Sequence, residues 1–97
     1  MAAEKFFRKA VKSDPDGIEY LSALDYAMGH QQKWDEIVAL WDGFIARHPT
    51  SGRAYLERAG TNYHRRHMQA ALSDAKKAES LGMREGASLY RRIQSAL

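Results

Sequence analysis

The chain of 97 residues contains no cysteine and only two prolines. Without cysteine there are no disulfides and no thiolate chemistry. No apolar run reaches the roughly 18 residues that a membrane-spanning helix needs. The N-terminal residues lack the charged-then-apolar layout of a secretion signal. We therefore expect a cytoplasmic protein, with a periplasmic domain of a larger protein as the alternative that the composition leaves open.

Catalytic motifs are missing as well. The sequence has no glycine-rich phosphate loop, no GxSxG elbow and no HExxH motif. His64 and His67 have a spacing that can suit a metal ion, but no Cys, Asp or Glu lies close in sequence to complete the ligand set. Asp35 and Glu36 are adjacent acids at a predicted helix start, where they favour the helix dipole. We expect no enzyme, no cofactor and no metal site.

Charge is unevenly distributed along the chain, whose net charge is +3. Residues 1–48 carry six Lys/Arg and eight Asp/Glu, a net of −2, and residues 49–97 carry nine and four, a net of +5. Such asymmetry favours an acidic partner for the C-terminal half. Nucleic-acid binding would need the basic residues on one face together with exposed aromatic side chains, and it is the less favoured interpretation.

A period of 34 residues is the main signal. Pro15 and Pro49 are 34 apart, and Met83 follows at the same step. The same step joins three further sets, namely Ala10, Phe44 and Ala78; Phe7, Trp41 and Ala75; and Ala3, Ile37 and Ala71. Three copies in register, without an insertion, indicate a repeat protein.

Within each copy, apolar residues recur at helical spacing. This pattern predicts six helices, near 2–13, 17–31, 34–47, 51–65, 68–81 and 85–96. Pro49 ends the third predicted helix, Ser51 is a candidate N-cap of the fourth, and Gly82 is a candidate C-cap glycine. We predict one domain over 1–97, made of a half repeat (2–16), two repeats (17–50 and 51–83) and a closing helix (84–97). A single helix pair cannot cover its own apolar face, so neighbouring pairs must stack to form the core.

Several segments carry a family resemblance that covers nearly the whole chain, among them residues 34–37 and 44–49 of the first full repeat. Residues 54–60 resemble the opening of a tetratricopeptide repeat, and residues 70–78 resemble its second helix. The resemblance implies an all-α, TPR-like α-solenoid, in which antiparallel helix pairs stack into a right-handed superhelix. It also implies a protein–protein interaction module, an adaptor or scaffold that holds a partner peptide or helix in a concave groove lined by the first helices. Asp25, where the family prefers glycine or alanine, and Met83, in place of the closing proline, depart from the pattern.

One subgroup of this family holds the C-terminal carboxylate of chaperone tails with lysine, arginine and asparagine. Arg53 falls at one of those clamp positions. Ser22 and Tyr26 stand where the subgroup has lysine and asparagine, and Glu57 stands where it has arginine. A carboxylate clamp is therefore not expected.

The repeat register predicts which residues line the groove. These are Glu19, Ser22, Tyr26, His30, Arg53, Leu56, Tyr63, His64, Tyr90 and Gln94. Tyrosine and arginine are frequent anchors of binding surfaces. The alternative is that the tyrosines pack between helices and that the histidines, expected side by side because they are 34 apart, are solvated. Arg65, next to His64, is expected to add polar selection.

A second functional hypothesis is self-association. Phe6 and Phe7 lie on a predicted helix without the usual preceding partner, and the closing helix has no following one. The chain would then be a homo-oligomer or a self-associating segment of a longer solenoid. A nucleic-acid-binding helical repeat is the third hypothesis.

Overall fold

A computed structural model describes residues 2–97, which form six α-helices and no strand. Their bounds are α1 Ala2–Ser13, α2 Ile18–Gly29, α3 Trp34–Arg47, α4 Gly52–His64, α5 Met68–Ser80 and α6 Glu85–Ser95. The predictions of an all-α chain and of six helices are confirmed. None of the helices in this range is long and apolar enough to cross a membrane.

The turns after the first helices repeat at the same 34-residue step. Gln32 after α2 and Arg66 after α4 adopt φ of 56° and 67°. In both turns this residue and the next donate their backbone N–H groups to carbonyls at the end of the preceding helix, at 2.8 to 3.3 Å. Gly82, at φ 97°, ends α5 with the same pair of bonds. This Schellman arrangement satisfies helix-end carbonyls, and it gives the backbone itself a repeating hydrogen-bond pattern.

The starts of α2 and α4 also match. The amides of Gly17 and Ser51 donate to the carbonyls of Asp14 and His48, both at 3.1 Å. The Ser51 hydroxyl accepts a hydrogen bond from the amide of Ala54 at 3.3 Å, which confirms Ser51 as the N-cap of α4.

The core consists of two clusters. The first lies between α2 and α3, is closed by α1 and α4, and contains Leu21, Leu24, Met28, Ile37, Trp41, Phe44, Ile45 and Ala54. The second lies between α4, α5 and α6 and contains Ala59, Ala71, Ala75 and Ile93. The small side chains of the second cluster let α4 and α5 approach each other more closely than α2 and α3 do. Helices that are consecutive in the chain are therefore packed neighbours throughout residues 2–97.

Gly86 sets the distance between α5 and α6. A Cβ at this position would lie 2.5 Å from the carbonyl oxygen of Ala75 and 2.7 Å from the amide nitrogen of Glu79. Both neighbours are backbone atoms, which cannot rotate away. The close approach of these two helices therefore requires glycine.

An ionic network joins α3, α4 and α5. Arg58 donates from Nε and Nη2 to the carboxylate of Asp74, at 2.9 and 2.8 Å, and from Nη1 to Asp42 at 2.8 Å. Asn62 donates to the same Asp74 carboxylate at 3.0 Å. These bonds satisfy a buried acid, and hydrogen bonding to Asp74 is the largest cause of the raised pKa of Arg58.

A second network attaches α1 to the rest of the fold. The Glu4 carboxylate accepts hydrogen bonds from Arg8 Nε at 2.8 Å, from Lys33 Nζ at 3.1 Å and from Gln31. The hydrogen bond from Arg8, followed by that from Lys33, lowers the pKa of Glu4 to about 2. Since Lys33 and Gln31 belong to the turn between α2 and α3, this carboxylate connects the first helix to the first full helix pair.

Candidate functional site

An open cleft of about 330 Å³ lies between α2 and α4. Its floor and walls come from the second half of each helix and from the first residue of α3. The lining residues are Asp25, Tyr26, Gly29, His30, Trp34, Glu57, Gly60, Thr61 and His64. The cleft is thus formed by the first helices of the two predicted repeats, at the lower end of the volumes typical of small ligand sites.

The lack of a side chain at Gly60 keeps part of the cleft open. A Cβ built on Gly60 would meet no other atom within 4 Å, so the space above this residue is empty. A glycine inside a helix lowers stability by roughly 0.5–1 kcal/mol relative to alanine. The sequence therefore carries a stability cost at a position where alanine would fit without any clash.

Aromatic rings form two of the walls. The rings of Trp34 and His64 are stacked, with centroids 5.1 Å apart and planes at 15°. Tyr26 and His30 meet edge to face at 4.7 Å and 88°. Tyr26 is 72% exposed, whereas Leu24, Ala27 and Met28 of the same helix are buried. The cleft therefore presents aromatic surface to any molecule that enters it.

Asp25 is the central polar group of the cleft. Its Oδ2 accepts a hydrogen bond at 2.7 Å from the indole Nε1 of Trp41, a completely buried side chain. Burial raises the pKa of Asp25 to about 6, and the negative charge of Glu57 acts in the same direction. The Trp41 hydrogen bond and His64 act in the opposite direction. Asp25 is therefore mostly ionised at pH 7 to 8 and becomes protonated in mild acid.

Three of the predicted groove residues meet in this cleft, namely Tyr26, His30 and His64. The two histidines share it, as the 34-residue step predicted. Arg53 and Ser22 meet near the starts of the same two helices, where Arg53 Nη2 donates to the Ser22 hydroxyl at 3.1 Å.

The remaining predicted groove residues lie outside the cleft. Glu19 and Gln94 are exposed, and Leu56 is half-buried. Tyr63 and Tyr90 are half-buried and pack against the cluster between α4, α5 and α6, as the interhelical-packing alternative describes. Tyr63 also borders a separate small cavity with His64. A groove role for these five residues stays a prediction.

Arg65 is directed away from the cleft. Its Nη1 donates to Asp35 at 2.8 Å and its Nε to the Asn62 side chain at 2.9 Å. It borders two other surface cavities, on the side of α3 and α5. The charge of Arg65, in the turn after α4, is therefore already paired with an acid of the fold.

The sequence reasoning did not select Asp25, Trp34, Glu57 and Thr61 as groove residues. Asp25 was recognised only as a departure from the tetratricopeptide pattern. An available signal was the position of Asp25 between Leu24 and Met28, because an ionisable residue inside an apolar helical stripe often belongs to a site.

No model of a known protein family matches the chain, and no curated protein matches it. Within residues 2–97 no group of three or more His, Asp or Glu side chains is placed to hold a metal ion. The tetratricopeptide resemblance therefore stays a prediction from the sequence.

Proposed function

We propose that this protein is a tetratricopeptide-like solenoid that acts as an adaptor, a binding role and not a catalytic one. The segment that it holds, a peptide or a helix of a partner protein, lies along the face formed by α2, α4 and α6. Support comes from the packing of consecutive helices and from turns that repeat at 34 residues. A period of this kind is typical of helical repeats that stack on their neighbours.

The open cleft between α2 and α4 carries the proposal. It combines exposed aromatic surface from Tyr26 and Trp34 with polar groups at Asp25 and Glu57. Aromatic anchors surrounded by a few polar groups are the usual composition of binding hot spots. The residue that keeps the cleft open, Gly60, also makes the proposal testable.

The test compares two substitutions of the same residue. Gly60→Trp is expected to fill the cleft, and Gly60→Ala is the matched control that leaves most of it open. A phage-displayed library of random 12-residue peptides is selected on the wild-type protein, and the Kd values of enriched peptides are measured by fluorescence polarisation. Peptides should bind the wild type and Gly60→Ala alike, and Gly60→Trp at least tenfold more weakly.

Far-UV circular dichroism of each variant is the control for folding. Equal affinity of all enriched peptides for a folded Gly60→Trp variant would show that the cleft is not the binding site. Failure to enrich any peptide on the wild type would also count against the adaptor role.

Self-association is a second candidate because of two exposed apolar side chains. Phe6 on α1 is 65% exposed and borders an open depression, and Leu97 is 64% exposed. Sedimentation equilibrium of the wild type and of Phe6→Ser, over a hundredfold range of concentration, tests this hypothesis. A dimer that Phe6→Ser abolishes would support it, and a monomeric wild type throughout would refute it.

A further inference from the structure

The buried and half-buried carboxylates of this fold differ in whether a cationic side chain contacts them. Within residues 2–97, four acids are buried or half-buried, namely Glu4, Asp25, Glu57 and Asp74. Glu4 and Asp74 each contact a guanidinium group at 2.8 Å. Asp25 and Glu57, the two acids in the cleft, have no Lys, Arg or His nitrogen within 4.0 Å among the described residues. The fold thus provides cations for its other sheltered acids and none for this pair.

The two cleft acids also act on each other. The negative charge of Glu57 contributes to the raised pKa of Asp25, which is the effect of a like charge nearby. Like charges in a partly desolvated site repel each other, and a cation placed near both carboxylates would be attracted by each of them. The net charge of +3 of the whole chain makes this local negative charge the exception.

The walls of the cleft suit the same kind of ligand. Cations bind over the faces of tryptophan and tyrosine rings, and Trp34 and Tyr26 line the same cleft as the two carboxylates. A guanidinium group is planar and has five N–H donors, so it can lie on a ring and bond to carboxylates at the same time. A lysine ammonium group has the charge but not the planar shape.

We propose that the cleft selects its partner through one cationic side chain, arginine in preference to lysine, which inserts between Asp25 and Glu57 against the aromatic walls. This inference rests on the adaptor function proposed above. It names the chemistry that the partner must offer, namely a basic residue at one fixed position of the bound segment. No Lys or Arg of the C-terminal half, residues 49–97, lines this cleft.

The test uses the library selection described above. Peptides that Gly60→Trp fails to bind are sequenced, and we expect arginine or lysine at one fixed position in most of them. One such peptide is then synthesised with arginine and with citrulline, which has nearly the same shape without the charge. The citrulline peptide should bind the wild type about tenfold more weakly, as expected for the loss of charge-assisted hydrogen bonds.

Variants of the cleft identify the residues that hold the cation. Asp25→Asn keeps an oxygen that can accept the Trp41 hydrogen bond, and Glu57→Gln keeps its size, so both remove charge without removing shape. In the double variant the arginine and citrulline peptides should bind equally weakly. Glu79→Gln is the matched control, because it removes one exposed acid outside the cleft, and it should retain the tenfold preference.

The possible outcomes separate the two proposals. Peptides that Gly60→Trp fails to bind, but that share no basic position, would overturn the inference and leave the adaptor function intact. A tenfold preference for arginine that survives in the double variant would also overturn it. If Gly60→Trp affects no peptide, the adaptor function and the inference fail together.

Binding of the arginine peptide should depend on pH through Asp25. This carboxyl group is faced by Trp41 of α3 and by Glu57, Thr61 and His64 of α4, and His30, which follows α2, lines the same cleft. Since its pKa is about 6, affinity should fall as the pH is lowered from 7.5 to 5. The slope should be smaller in Asp25→Asn, which lacks this carboxyl group. An identical slope in the wild type and in this variant would overturn the role of Asp25.

Discussion

Asp25→Asn should make the protein more stable at pH 8 and leave its stability unchanged at pH 4. The pKa of Asp25 is raised to about 6, while an aspartate in an unfolded chain has a pKa of about 3.9. A difference of about two units corresponds to roughly 3 kcal/mol. Because Asp25 is only partly buried, solvent screening reduces this, and we expect a gain of about 1.5 kcal/mol.

The sign follows from proton binding in the two states. Between pH 4 and 6 the folded protein holds the Asp25 proton that the unfolded chain has lost, so this group lowers the free energy of unfolding as the pH rises through that window. Above pH 6 the cost is complete, and below the unfolded pKa it is absent. Asparagine does not titrate, and its side-chain oxygen still accepts the hydrogen bond from Trp41.

The measurement is urea unfolding followed by circular dichroism at 222 nm, for the wild type and the variant at pH 8 and pH 4. Only the difference between the two proteins is used, so the titration of groups that do not interact with Asp25 cancels. A gain of 1.5 kcal/mol corresponds to a rise in Tm of roughly 6–12 °C for a domain of this size. Glu79→Gln, which changes an exposed acid, should show no such pH-dependent difference.

Two results would refute the reasoning. Equal stability of the variant and the wild type at pH 8 would mean that the ionised carboxylate carries no net cost in the cleft. A variant that is less stable at both pH values would mean that the bond to Trp41 needs the carboxylate. In that case Asp25 would be a structural acceptor for a buried indole and not a group kept for binding.

Three further predictions concern the scaffold. Gly86→Ala should lower the free energy of unfolding by about 1–3 kcal/mol in urea titrations, because the new methyl group overlaps backbone atoms of α5; a neutral effect would show that α5 and α6 separate easily. Gln32→Gly and Arg66→Gly should each raise it by about 0.5–1 kcal/mol, since both residues hold positive φ, and a lower Tm in either variant would contradict this. Arg58→Met should cost about 2 kcal/mol because it leaves the buried Asp74 without its cation, and this loss should be largely recovered in the double variant Arg58→Met/Asp74→Asn, which is neutral and still accepts the hydrogen bond from Asn62.

The helices could be predicted because the sequence signal for a helix is spread over many residues. A stripe of apolar residues over ten or more positions determines that a helix forms, and the 34-residue step fixes where each one lies. The helix ends were placed up to two residues away. Gln32 and Arg66 adopt the left-handed conformation without being glycine or asparagine, so the sequence holds no mark of those turns.

The cleft could be predicted only in part, for a different reason. The repeat register assigns each position to the core or to the groove, and Tyr26, His30 and His64, which it assigns to the groove, all line the cleft. It cannot tell what happens at a position where the family uses a small residue and this chain has Asp25. The register also gives no sign that Trp34, the first residue of α3, both packs against the first core cluster and stacks on His64 in the cleft.

Three features that lower the stability of a folded protein occur together in the cleft. Asp25 is an ionised group in a partly desolvated site, and the negative charge of Glu57 repels it. Gly60 has no side chain at a helix position where alanine would fit. Elsewhere the buried acids have cations, and within residues 3–97 no buried side-chain N or O atom lacks a hydrogen-bond partner. Sequences that are otherwise locally consistent tend to break such rules at functional sites. Asp25→Asn and Gly60→Ala are each expected to raise the free energy of unfolding. The two native residues then lower the stability by roughly 2 kcal/mol at the cleft alone, and a ligand that binds there is the simplest explanation for their presence.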